Sequence, residues 1–165
     1  MIIICLLKSE RWIDRKRAAT QLAKIKDEKE VQEVLPEMIK ILEHDESEIV
    51  RAEIASSLSK MGILAEDAIP TLINAMIEDE SKEVREWSTI AIGEMGSLAR
   101  QAIPKLIIVM ETDSSVKVQK NAIFALGKMG GDAKKAVPAL KRFKKGNSAW
   151  WVSPIINQTI DKLLA

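Results

Sequence analysis

The side chains able to carry chemistry are few and scattered. The 165-residue chain has one histidine, His44, and one cysteine, Cys5. Neither a Ser-His-Asp nor a Cys-His arrangement can be built credibly from these, and Cys5 lies in the most apolar segment, residues 2–7. A lone cysteine rules out intrachain disulfides and cysteine-based zinc sites, and fits a reducing compartment. The acidic stretch Glu43 to Glu48 lacks the Asp-x-Asp/Asn-x-Asp/Asn-Gly loop that calcium coordination needs. No glycine-rich loop is placed to cradle a phosphate. The expectation is therefore no enzyme, no cofactor and no metal.

The elements that would position any binding group announce themselves by their interval. Pro36, Pro70, Pro104 and Pro138 stand 34 residues apart. Asp45, Asp79 and Asp113 keep the same beat, followed by Asn147, as do Val50, Val84, Val118 and Val152. Met61-Gly62, Met95-Gly96 and Met129-Gly130 do likewise. A fixed period of 20 to 50 residues marks a stacked repeat, in which each unit buries its apolar face only against its neighbours.

One unit shows the content. In residues 65–78, Ala68, Ile69, Leu72, Ile73 and Met76 fall at helical spacings, with the proline after about one turn, where a bend or a late helix start is expected. Asp79 opens a polar turn and Ser81 is the expected N-cap. A second helix then runs through Val84, Ser88, Ala91, Ile92 and Met95, and Gly96 stops it with a left-handed conformation. No alternating pattern argues for strand. With 47% hydrophobic residues but only 4% aromatic, the core must be aliphatic.

Asp45, Asp79 and Asp113 precede Arg51, Arg85 and Gln119 by six positions, in the pattern D-x4-V-[RQ]. The carboxylate can accept from N–H groups opening the second helix, and the Arg can bridge to the Asp of its own or an adjoining unit. Together with A-[IV]-P-x-L and the Met-Gly pairs, this resembles HEAT repeats, and most nearly the short, bilin-lyase-type HEAT-like units. The tetratricopeptide pattern needs a tyrosine that this chain lacks. The resemblance implies an all-α, right-handed α-solenoid (an α-α superhelix) of antiparallel helix pairs. The expected units are a truncated one at 1–26 and repeats at 27–62, 63–96, 97–130 and 131–165. The segment Asp14 to Ile25 matches a second helix offset by 36, which puts two extra residues in a turn around Asp27 to Glu30. Lyases of this repeat class are expected to be longer. HEAT-like hydroxylases hold two irons through repeated His-Glu pairs, whereas His44 is alone and followed by Asp45.

In such solenoids the second helices line the concave wall. Counting from the valine column, positions +3, +6 and +10 face away from the core. They read Arg17, Thr20, Lys24; Glu53, Ser56, Lys60; Trp87, Ile90, Glu94; and Asn121, Phe124, Lys128. The central two sets break the polar rule. Trp87, Ile90 and Phe124 are expected to form the apolar centre of a protein- or peptide-binding groove, bordered by Glu53, Glu94, Asn121 and Lys128.

Charge adds two alternatives. Residues 8–26 carry +5, residues 27–80 carry −11 and residues 117–145 carry +8, within a total of +1. Lys134, Lys135, Lys141, Arg142, Lys144 and Lys145 form a solvated end cap or a nucleic-acid contact. Self-assembly of a structural subunit is the other alternative, as a monomer or weak homodimer. Trp150 and Trp151 either shield the end of the core or present a sticky site, and Trp12 holds a similar place at the other end. The first apolar run is six residues against the roughly 20 of a membrane span, so a cytoplasmic protein without a membrane partner is expected.

Overall fold

The structure is a computed structural model that describes residues 2–165. Ten α-helices follow one another and, among the described residues, there is no strand. They are α1 (Ile2–Leu7), α2 (Trp12–Leu22), α3 (Glu28–His44), α4 (Glu48–Met61), α5 (Ile69–Glu78), α6 (Lys82–Met95), α7 (Ile103–Thr112), α8 (Val116–Lys128), α9 (Val137–Gly146) and α10 (Val152–Leu164). Odd-numbered helices form one layer and even-numbered helices the other. Each helix packs on its pair partner and on the same helix of the next unit. Neighbouring even helices pack much more closely than neighbouring odd ones. Unequal spacing in two layers bends the stack toward the tighter one, so the even helices form its inner wall.

The motif residues explain the packing. In Ala-Ile-Pro-x-Leu, Ala68 and Leu72 are fully buried and Ile69 nearly so, while Pro70 stays exposed. Ala102, Ile103 and Leu106 repeat this. The valine column is fully buried in all four units, at Val50, Val84, Val118 and Val152.

Three of the four prolines do not sit inside the first helix. Pro70, Pro104 and Pro138 occupy its opening positions, after 3₁₀ segments at Gly62–Ala68, Gly96–Ala102 and Gly130–Ala136. A missing backbone donor costs nothing there, because the first N–H groups of a helix have no internal partner. Only Pro36 lies within a continuous helix, the 17-residue α3. That helix has no 3₁₀ lead-in. The two-residue offset is absorbed differently from expectation, since Asp27 caps α3 by accepting from the Glu30 N–H at 3.0 Å, and residues 28–30 are already helical.

The glycine stops also differ in detail. Gly62 and Gly96 have φ of 56° and 55° with ψ of −126° and −129°. This is the mirror of extended backbone rather than the left-handed helix, and it redirects the chain straight into the 3₁₀ segment.

Candidate recognition surface

The inter-helix turns are joined by a ladder of partly buried ion pairs. Asp45, Asp79 and Asp113 each accept from the backbone N–H two residues on, at 2.9, 2.9 and 2.7 Å. Ser81 stands at the N-cap position of α6 but makes no side-chain cap; its own N–H is held by Asp79, and its hydroxyl turns to Glu83 at 3.2 Å.

Each arginine reaches forward to the next unit. Arg51 donates to both carboxylate oxygens of Asp79 at 2.7 and 2.9 Å, and Arg85 to those of Asp113 at 2.8 and 3.2 Å. Their remaining nitrogens hold their own unit's turn through the carbonyls of Asp45 and Asp79. Arg15 was not counted in this ladder from sequence. It makes the same contact with Asp45 at 2.6 and 2.9 Å, and its 36-residue offset from Arg51 was the available signal. Hydrogen bonding to these carboxylates, against the cost of burial, raises all three guanidinium pKa values above the ordinary range. The guanidiniums are charged at any working pH. Gln119 keeps only the contact with its own turn, donating to the Asp113 carbonyl at 2.9 Å.

Between α4 and α6 the inner wall opens into a cleft of about 340 Å³. Its floor is Ile49, Ala52 and Trp87; Glu48, Glu53 and Glu83 stand around it, with Lys16 of α2 as a cation at the margin. Glu83 is held below the ordinary carboxylate range, first by its own backbone N–H and then, against some loss of hydration, by the Ser81 hydroxyl and by Lys82 and Lys117. A second, narrower recess of about 150 Å³ lies between α6 and α8, lined by Ile90, Phe124 and Asn121, with Glu94 and Lys128 at its lip. Those two lip residues neutralise each other, Lys128 Nζ donating to Glu94 Oε1 at 2.5 Å.

The seven expected contact residues thus divide between two recesses, Trp87 and Glu53 in one and Ile90, Phe124, Glu94, Asn121 and Lys128 in the other. They are not equally free. Phe124 is 44% exposed, whereas Trp87 and Ile90 are half-buried, Trp87 lying against the core. Ser56, expected on the solvated face, is buried. Ile90 is covered where α6 and α8 approach closely at Gly93, at which an added Cβ would stand 3.2 Å from Ala125. Ile49, Ala52, Lys16, Glu48 and Glu83 were missed, because one helix viewed alone does not show what the next helix brings beside it.

At the far end, the basic residues occupy two places. Lys134 and Lys135 lie on a 3₁₀ segment, and Lys141, Arg142, Lys144 and Lys145 on α9. Arg142 reaches Glu111 at 3.4 Å and Lys144 reaches Asn157 at 2.8 Å. The paired tryptophans divide their roles. Trp151 is 7% exposed and packs near Phe143, with ring centroids 6.3 Å apart, while Trp150 is 87% exposed. Among the described residues no cluster of His, Cys, Asp and Glu could hold a metal ion, and no helix is long and apolar enough to cross a membrane.

Fold and wall together define an α-solenoid with a recessed inner face. The chain belongs to the HEAT-repeat family: the family model for HEAT repeats matches residues 1–93 and, overlapping, 69–153. No curated protein sequence matches. Among solved structures it is similar to a chain in the complex of CpcE and CpcF of phycocyanin lyase from Nostoc sp. PCC7120, at 16% identity and TM-score 0.73, covering 96% of this chain and 95% of that one. It also resembles Kap95p bound to RanGDP (13% identity, TM-score 0.69, 98% of this chain and 24% of that) and Kap95 bound to Nup1 (14%, 0.58, 99% and 24%). At these identities the likeness is one of fold. The expectation that lyases of this class are longer fails for the Nostoc chain, which this one nearly matches in length.

Proposed function

We propose that the protein is a non-enzymatic scaffold that binds a protein or peptide partner on its inner wall, with Trp87 and Phe124 as apolar anchors. The observation that carries this is the acidic, apolar-floored cleft continued by the Phe124 recess, both on the packed face of the even helices. Aromatic side chains in such positions supply most of the energy of many interfaces. The complexes formed by CpcE with CpcF and by Kap95 with its partners support a protein partner. Residues 1–26, 27–62, 63–96, 97–130 and 131–165 serve as the structural units of this scaffold, and a cytoplasmic setting fits its single thiol.

Phe124→Ala tests the reading, because the ring is exposed enough for its loss to cost under about 1 kcal/mol of stability. Partner capture should fall at least about tenfold with the melting temperature nearly unchanged. Capture unaffected by Phe124→Ala and by Glu53→Lys would overturn it. A second reading, as a subunit of an enzyme, draws on the near full-length likeness to a chain of the phycocyanin lyase complex. Phycocyanin lyase activity, assayed with and without the chain, separates the two.

A further inference from the structure

The same chain carries a surface that matches its own cleft. Trp150 is the most exposed large apolar side chain among the described residues, at 87%. It projects from the turn between α9 and α10, and the Lys120 ammonium lies 5.7 Å from its ring centroid. Lys144 and Lys145 end α9 just before this turn. An indole with one ammonium beside it, on a turn that follows a lysine-rich helix end, complements a cleft lined by Ile49, Ala52 and Trp87 together with Glu48, Glu53 and Glu83. At about 340 Å³ the cleft has room for a single large side chain. The two surfaces cannot meet within one molecule. Trp150 stands at the last pair of helices and the cleft two layers earlier, roughly 20 Å away at the usual 8–10 Å between packed helices.

We propose that the Trp150 turn of one copy docks into the Ile49–Trp87 cleft of a second copy, giving a weak head-to-tail contact. This rests on the reading of the inner wall as a recognition surface and names one occupant for it. The contact joins different patches on the two partners, so repetition builds a closed ring or an open row according to the rotation between copies. One aromatic anchor on a short turn falls below the roughly 1,000 Å² that a stable interface buries, so association belongs at high micromolar concentration and above. Its charged surround makes it stronger at low salt.

Mixing two variants provides the test. Trp150→Ala removes the plug and keeps the cleft; Glu48→Lys with Glu53→Lys spoils the cleft and keeps the plug. The three substituted residues are exposed or half-buried, and circular dichroism checks that each variant folds. In sedimentation equilibrium from about 10 µM to about 1 mM at low salt, wild type should show a mass that rises above that of the monomer with concentration. Each variant alone should associate at least about tenfold more weakly. An equimolar mixture should form one-to-one dimers and nothing larger, since only one productive plug and one productive cleft remain. Wild type that stays monomeric throughout would overturn the proposal, as would association unchanged by Trp150→Ala. Neither result touches the proposed partner-binding role, because Trp150→Ala leaves the cleft intact and its capture of a partner can be measured separately.

Discussion

In the first three junctions of the stack, a buried guanidinium spans from one turn to the carboxylate of the next; at the last junction the corresponding positions hold Gln119 and Asn147. Asn147 still performs the local task, accepting from the Ala149 N–H at 3.0 Å. Among the described residues, however, no hydrogen bond joins it to Gln119. A cation–π contact crosses the junction in its place, the Lys120 ammonium lying 4.8 Å from the Trp151 ring centroid, while Phe143 packs on Trp151 within the last helix pair. One architecture thus joins its layers in two ways. Ion pairs fix both distance and orientation, whereas aromatic contact fixes mainly distance, and leaves room for a protruding neighbour such as Trp150.

The largest expected contrast lies in the turns. Asp79→Ala leaves the partly buried Arg51 without its counter-charge and removes the acceptor of the Ser81 N–H, and should cost about 2–3 kcal/mol. Asn147→Ala removes one neutral hydrogen bond and should cost about 1 kcal/mol. Urea melts of both variants measure the gap, and equal losses would mean that the ionic and neutral junctions are equivalent. The adjacent tryptophans sharpen the same contrast. Trp151→Ala should cost about 3 kcal/mol through the cavity it leaves, with Trp150→Ala within about 0.5 kcal/mol of wild type.

A smaller effect compares the close helix approaches. A methyl on Gly93 would press on Ala125 at 3.2 Å, including its backbone, so Gly93→Ala should lose about 1 kcal/mol despite its better helix propensity. At Gly127 the nearest atom is Thr159 Cγ2 at 3.5 Å, an ordinary contact, and Gly127→Ala should gain up to about 1 kcal/mol. Thermal melts that move in the same direction for both would show that the two junctions tolerate volume equally.

Sequence periodicity was enough to reach the helix pairs and the buried columns, because Val50 and its counterparts repeat at intervals that only stacked units explain. The direction of the ladder was not legible. Arg51 could have reached Asp45 or Asp79, and the choice depends on how far apart successive turns stand. The site was partly legible for a similar reason. A helical wheel identifies Phe124 as pointing away from its own core, but the distance between α6 and α8 decides how much of Ile90 is covered. That distance follows from Gly93 meeting Ala125, a pairing between residues 32 positions apart. The fates of Trp150 and Trp151 turned on where the irregular turn before α10 ends, which no repeat predicts.

The forward reach of each arginine gives the array a seam. Severing it between any two of the earlier units would strand an ion in the interior, either a guanidinium or a carboxylate. Between Gly130 and the last helix pair no such orphan is created, because the amides of Gln119 and Asn147 carry no charge. Lengthening or exchanging modules at that boundary strands no interior charge, and a graft needs to replace only the exposed Arg142–Glu111 pair and the seat of Trp151 under Lys120.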